Sequence, residues 1–346
     1  MKRVLLCLSH AIEEFQQLDL LSSLGYEVAS IGGYVNPHEP HDSKRPALPH
    51  VPFYPEIKAA VDALMAEDNL RDAQERLPDT VLDWLGDDGV IIFHHRLERL
   101  FGQWPRLADW KRGHDGRRIV WRSVGQSVRN NEREAALYRM AGLERVTYSP
   151  LEANIPEFTG SDAMIRFWGY EVDEPWTGDD EVVIQISQHL RQRHPFTNWE
   201  FWDSATRDLP RLPIGPGSEV IGGTGQVSYE EMQQRLLASR VFLFTGSQPA
   251  SYTLGLVEAM HAGIPTISIG PSWMQVQYDG GTSAEFFEGH QLATLWDDDP
   301  NVVRHMIREL LMDPGYARTM SMTTRKLARK YFDRQKIGKQ WSAFLG

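Results

Sequence analysis

Cysteine is almost absent. The chain has 346 residues and a single cysteine, Cys7, so no internal disulfide can form, and its place inside an apolar run argues against a catalytic thiol. That usage fits a reducing compartment, and the cytoplasm is the expected location. Long apolar runs are missing as well: no segment reaches the roughly 20 residues that a membrane-spanning helix needs. The opening MKRVLLCLSHAIEEF begins like a secretion signal, but its apolar stretch stops at Leu8 and the acids Glu13 and Glu14 follow, so it reads as a buried first strand. Neither an internal repeat nor a low-complexity tract occurs, which excludes a solenoid. Positive charge is the scarcer sign, 36 Lys and Arg against 47 Asp and Glu for a net −11, which taken whole argues against a polyanionic partner.

What is present is strand–helix alternation on a length that suits two α/β domains. RVLLCLS reads as a strand; Ile12, Phe15, Leu18 and Leu21 then recur at helical spacing up to Gly25, and EVASIGG is the next strand. DGVIIFHH, RRIVWRSV and RVTYSP continue the series as short apolar runs between helical stretches, the pattern of a parallel sheet covered on both faces. Residues 1–175 are therefore expected to form one Rossmann-like doubly wound domain, with a linker near 170–181 in the polar, aromatic FWGYEVDEPWTGDDE. VVIQIS, SEVIGG, RVFLFTG and IPTISI then read as strands, with YEEMQQRLLAS and LGLVEAMHAG as helices between them. They predict a second such domain over 182–325, followed by helices through 326–346.

Charge is placed unevenly. Residues 1–95 carry 7 Lys and Arg against 16 Asp and Glu, residues 96–145 carry 12 against 6, and the tail from Arg318 carries eight against one. Such runs are more often solvated helix faces than binding surfaces; an anionic ligand is the sharper alternative.

The most informative stretch is RVFLFTGSQPASYTLGLVEAMHAGIPTISIG, in which a buried strand feeds a loop of small and polar residues and then a helix beginning near Thr253. Amides at a helix N-terminus, together with the helix dipole, favour an anion such as a diphosphate. Glu258 falls about one turn in, where its carboxylate can accept hydrogen bonds from sugar hydroxyls or simply complement the dipole. Gly263 and Pro265 end the helix and start the next strand.

YTLGLVEAMHAGIPTIS resembles the donor-site signature of the retaining Glu-x7-Glu glycosyltransferases of the GT-B fold. Glu258 matches the second glutamate and is followed by Ala259, Met260, Gly263 and Pro265, and weaker similarity covers roughly residues 182–330. The resemblance implies an α/β GT-B architecture of two Rossmann-like domains facing a cleft. It further implies a nucleotide-sugar donor, a UDP- or GDP-sugar, bound by the C-terminal domain, and a terminal helix that crosses back to the N-terminal one. Ser251, Tyr252, Thr253, Leu254 and Glu258 would line the donor. The basic residues that this fold places after the first strand of the C-terminal domain would be Arg191 or Arg193, next to Ser187, since guanidinium grips phosphate oxygens bidentately. The chain departs from the pattern where the first glutamate falls on Ala250 and the usual Phe-Gly is Tyr252-Thr253. Sugar identity and the retaining outcome are thereby left open, with Gln248 or Ser251 as substitutes.

WDDDP invites a metal reading, but Asp299 followed by Pro300 reads as the cap and first residue of a helix, and no tightly bound metal is expected. The glycine cluster in IGGTGQVS reads as a strand-end turn beside a nucleotide base. Ligands of open α/β sheets gather at the carboxyl ends of strands, which makes Ser9, His10, His95, Arg122 and Gln126 acceptor-side candidates, with His95 or His10 as the base toward an acceptor hydroxyl. The basic stretch 96–145 suggests an anionic acceptor, one possibility being DNA with hydroxymethylated bases, flipped to reach the site. Small-molecule, lipid-linked and polysaccharide acceptors stand beside it. A nucleotide-sugar epimerase or a silent binding protein of the same fold is the competing class.

Overall fold

A computed structural model describes residues 1–7, 11–31, 48–51, 54–66, 77–94, 100, 102–125, 139–154, 160–248, 250–274, 277–278, 281–282 and 287–346. The chain divides into two compact units, one running up to Ile165 and including Gly338–Gly346, the other spanning Arg166–Ile337.

In the first unit, strands β1 (Arg3–Cys7), β2 (Glu27–Ser30), β3 (Val90–His94), β4 (Arg118–Arg122), β5 (Glu144–Thr147) and β6 (Ala163–Met164) form a parallel sheet in the order β2-β1-β3-β4-β5-β6. Helices α1 (Ala11–Ser23), α2 (Pro55–Ala66), α3 (Asp79–Leu85) and α4 (Trp104–Arg112) intervene. Val4, Leu5, Leu6, Val90, Ile91, Ile92, Ile119 and Val120 are fully buried, as expected of strands sandwiched between helix layers. Gly25, at φ 87°, turns the chain from α1 into β2, a conformation that a side chain resists.

The second unit contains β7 (Asp180–Ile186), β8 (Arg211–Ile214), β9 (Ser239–Phe244), β10 (Thr266–Ile269), a short antiparallel pair β11 (Gln277–Tyr278) and β12 (Gly281–Thr282), and β13 (Leu295–Asp297). Its main sheet is parallel in the order β13-β10-β9-β7-β8. The helices are α5 (Trp199–Thr206), α6 (Tyr229–Ala238), α7 (Leu254–Ala262), α8 (Gly289–Leu292), α9 (Pro300–Met312) and α10 (Pro314–Tyr331). A last helix, α11 (Arg334–Leu345), begins in this unit, and its residues from Gly338 onward group with the first. Strand order reverses between β7 and β9, so the loops leaving these two strands flank the place where open α/β sheets bind ligands.

Two expectations are corrected. SEVIGG is not a strand: Glu219–Ile221 is a turn of 3-10 helix stopped by Gly222 in the left-handed region, and the strand lies earlier, at Arg211–Ile214. The segment expected as a linker near 170–181 is packed on the second unit, whose boundary falls at Ile165/Arg166. Arg166 makes a bidentate ion pair with Glu288 at 2.7 Å for each bond, Arg334 covers the Trp168 ring, and Trp176 Nε1 donates to Ser239 O at 2.8 Å. Its irregular, aromatic composition is that of a strap held by side chains, which needs no helical or strand period.

Candidate functional site

The loops leaving β7 and β9 bring the predicted donor residues to one end of the second unit. Thr253 caps α7: its backbone is extended, and its side-chain oxygen accepts the Leu256 N–H at 3.3 Å. Gly263, at φ 82°, closes the other end, its N–H donating to Ala259 O and Met260 O. A Cβ on Gly255, in the first turn, would lie 3.4 Å from Ile186 Cβ, so the start of α7 rests against the end of β7, one residue before Ser187. Those two positions, with Thr253 and Ser247, are partly open to solvent.

Arg193 links the two loops. Its Nη2 donates to Ser247 Oγ at 3.1 Å and its Nη1 to Gln188 O at 3.5 Å. Partial burial draws its pKa below the ordinary arginine value, and the guanidinium remains charged at neutral pH. Arg191 takes another direction, its guanidinium 5.9 Å from the Trp199 ring centroid. Of the two arginines that the sequence left as alternatives, Arg193 is the one beside the loop that feeds α7.

The remaining donor candidates sort by burial. Glu258 is 8% exposed, in the second turn of α7. Ser251 and Tyr252 are buried, and Leu254 nearly so. The Tyr252 ring packs edge-on against Phe167 and tilts over Phe332, and its hydroxyl accepts the Phe167 N–H at 3.3 Å. Ser251 O accepts the N–H groups of Glu288 and Gly289 at 3.0 and 2.8 Å. These residues brace the loop from behind. Gln248, considered as a substitute for the missing first glutamate, gives its amide to Trp273 O at 2.9 Å and to Asn198 Oδ1 at 3.4 Å. Ser247 and Gly255 were not singled out from sequence; their signal was their place in the small-residue loop and in the first turn of the helix.

In WDDDP, Asp299 Oδ1 accepts the Asn301 N–H at 2.8 Å, Asp298 Oδ1 the Ser272 N–H at 2.9 Å and Asp297 Oδ1 the Asp299 N–H at 2.7 Å. The aspartates thus serve backbone amides. Among the described residues no group of three or more His, Cys, Asp or Glu is arranged to hold a metal ion.

Ser9, His10, His95 and Gln126 lie outside the described residues. Arg122 is fully buried, donating to Thr147 O at 3.0 Å and to Ile165 O, with its Nε 3.7 Å from Glu13 Oε1. It holds the sheet edge instead of facing solvent. The basic stretch 96–145 is similarly occupied among its described residues. Arg106, Arg112, Arg117, Arg118 and Arg139 are paired with Asp79, Asp109, Asp87, Glu144 and Asp162 respectively, and Arg145 is buried over Trp121. Three of these five paired arginines, Arg106, Arg117 and Arg139, thus answer acids outside the stretch, Asp79, Asp87 and Asp162, within the same unit.

No protein-family model matches the chain, and no curated protein matches its sequence. Solved structures do. HepE of Anabaena in complex with UDP-glucose is similar at TM-score 0.63 and 13% identity, over 100% of this chain and 99% of that one. An alpha-glucosyltransferase in complex with UDP and a 13-mer DNA containing a central A:G mismatch is similar at TM-score 0.61 and 11% identity, over 100% of both chains. A TarM mutant of S. aureus in complex with Fondaparinux, alpha-GlcNAc-glycerol and UDP reaches TM-score 0.53 at 12% identity, over 77% of this chain and 58% of that one. The chain thus spans little more than half the length of that last protein. The fold is the two-domain GT-B fold. In a GT-B chain, the end of the second sheet described above is where sequence motif, helix N-terminus and arginine coincide.

Proposed function

We propose that this chain is a glycosyltransferase that moves a sugar from a nucleotide-sugar donor, a UDP-sugar, to an acceptor hydroxyl. The observation that carries the reading is the full-length likeness to structures holding UDP or UDP-glucose. The site supports it chemically. Arg193 and the first-turn amides of α7 supply positive potential for a diphosphate, and Glu258 supplies a carboxylate for ribose hydroxyls. We read the α7 sequence as a variant of the Glu-x7-Glu motif with Ala250 at the first position, and assign the donor to Arg166–Ile337 and the acceptor to the first unit. A reducing compartment such as the cytoplasm suits the lone Cys7.

In the reaction, the acceptor oxygen bonds to the anomeric carbon as the bond from that carbon to the diphosphate oxygen breaks. Negative charge grows on the leaving UDP, where Arg193 and the α7 dipole lower its energy without a resident metal. The acceptor proton passes to a base, for which His95 and His10 are the candidates.

A thermal-shift panel of UDP- and GDP-sugars tests the donor, followed by transfer from the best hit onto simple glycans and onto DNA containing hydroxymethylcytosine. Stabilisation with transfer is the expected result. Return of an isomerised nucleotide sugar would identify an epimerase instead, and Glu258→Ala with unchanged donor affinity would remove Glu258 from the site. Transfer to modified DNA is the second reading, favoured by the likeness to the DNA-bound alpha-glucosyltransferase. It comes second because the described arginines of 96–145 are engaged within their own unit.

A further inference from the structure

Arg193 sits on one loop and α7 follows another, and buried hydrogen bonds fix the separation between them. Thr245, directly after β9, is fully buried and stands at the centre. Gln185 Nε2 donates to Thr245 Oγ1 at 2.8 Å, Thr245 Oγ1 donates to Thr197 O at 2.8 Å, and Asn198 Nδ2 donates to Thr245 O at 2.9 Å. Gln248 continues the chain, its N–H meeting Phe196 O at 2.7 Å and its amide reaching Asn198 Oδ1 and Trp273 O. Gln185, Thr197, Asn198 and Gln248 are all buried.

One end of this network is the loop that carries Arg193; the other is the loop that carries Ser247 and the start of α7. Asn198 lies at φ 51°, a left-handed conformation that costs energy without glycine and that its bonds to Thr245 and Gln248 help hold. The side chains of Gln185, Thr245, Asn198 and Gln248 each make at least one directional hydrogen bond within this buried network, and such bonds specify a geometry more sharply than apolar packing does.

We propose that Thr245 is a positioning residue for the donor diphosphate, setting the distance between Arg193 and the N-terminus of α7 through the Gln185–Thr245–Thr197–Asn198–Gln248 network. This rests on the reading of that site as the diphosphate site. Thr245 touches no substrate; standing directly after β9, its hydroxyl accepts from Gln185 on β7 and donates to Thr197 O in the loop that follows β7 and carries Arg193.

The test compares Thr245→Val, which keeps shape and removes the hydroxyl, with Thr245→Ser, which keeps the hydroxyl. Binding of UDP and of uridine is followed by calorimetry and thermal shift. Thr245→Val should weaken UDP about tenfold, the size expected when one charge-assisted contact is misplaced, and leave uridine unchanged. Thr245→Ser should restore UDP binding to about the wild-type level, and Thr245→Val should add nothing to Arg193→Ala, since both act through one contact. Equal losses for UDP and uridine, or a full loss persisting in the Arg193→Ala background, would overturn the proposal in favour of a general folding role. Should the valine variant fail to fold, Gln248→Met removes the same network's far link at nearly constant volume and carries the same expectations. Wild-type protein that neither UDP nor GDP stabilises would overturn the reading of the site and this inference with it. Wild-type protein that binds UDP no better than Thr245→Val overturns the inference alone.

Discussion

Removing Arg193 is the sharpest probe of the site, because its expected cost can be worked from its contacts. In the unliganded chain its Nη2 spends one hydrogen bond on Ser247 Oγ at 3.1 Å. A diphosphate would replace that neutral acceptor with an anionic one, adding ionic attraction and a bidentate grip to a hydrogen bond whose class is worth about 1.5–3 kcal/mol. The side chain remains partly open to solvent, so screening holds the net gain to about 1–2 kcal/mol, or roughly 5- to 30-fold in Kd. Arg193→Ala should therefore bind UDP weaker by that factor in calorimetry, with the gap narrowing as salt rises, and with little change in melting temperature. Arg193→Lys should fall between, since ammonium keeps the charge and loses the fork. Arg191→Ala, whose guanidinium lies over Trp199, serves as the control and should stay within about twofold of wild type. UDP affinity unchanged in Arg193→Ala, or an equal loss in Arg191→Ala, would refute the assignment of the clamp.

Gly255→Ala separates binding from folding. The added Cβ meets Ile186 at an ordinary 3.4 Å, and alanine is the better helix former by about 0.5–1 kcal/mol, so melting temperature should hold or rise while UDP binding falls at least about tenfold. A preserved affinity would mean that no ligand approaches this turn. Gly169→Ala acts on the strap: its Cβ would come within 2.2 Å of His261 Cδ2 and 2.8 Å of Val257 Cγ1, costing about 1–3 kcal/mol of stability. Adding His261→Ala should recover much of that loss in denaturant titrations, and a purely additive double variant would contradict the packing argument. Glu13 and His261 contribute to the pH dependence in opposite senses. Burial, against the pull of Arg122, pushes Glu13 up to about 7 from 4.5, so its contribution is complete below about pH 4.5 and is lost as pH rises through about 7. Burial pulls His261 down to about 4 from 6.5, so its contribution is complete above pH 6.5 and is lost as pH falls through about 4. Glu13→Gln should accordingly flatten the fall in unfolding free energy between about pH 5 and 7, by up to about 1 kcal/mol per pH unit, and parallel curves for variant and wild type would refute the shift.

What could be read from the sequence divides by the distance over which the determining interaction acts. The caps of α7 are local: Thr253 and Gly263 act on amides three or four residues away, and their residue types announce those roles. The parallel sheets were legible for the same reason, since strands such as Val90–His94 are apolar along their whole length. The choice between Arg191 and Arg193 was not, because both stand in one irregular loop whose direction is set by Thr197, Asn198 and Thr245, residues up to 48 apart in sequence. The surroundings of Tyr252 were not legible for a related reason. The residue stands in the loop that feeds α7, yet its ring faces Phe167 and Phe332, and only the fold brings those two rings to it.

The basic stretch is the most instructive case, since a charge count over 96–145 leaves out the acids that answer it. Arg106 finds Asp79, 27 residues back, and Arg139 finds Asp162, 23 residues ahead. Neighbouring strands of a doubly wound sheet are separated by just such intervals, so an arginine on one crossover meets a carboxylate from the next. A window centred on either misreads the pair as a field. Arg193 escapes this fate because its nearest partners are a hydroxyl and a carbonyl, Ser247 Oγ and Gln188 O, and neither neutralises it. A cation held in place by neutral groups keeps its charge for something not yet bound. Arg191 is likewise met by a neutral group, the Trp199 ring; what separates Arg193 from it is the bond to Ser247 on the loop that feeds α7, which a sequence window has no means of detecting.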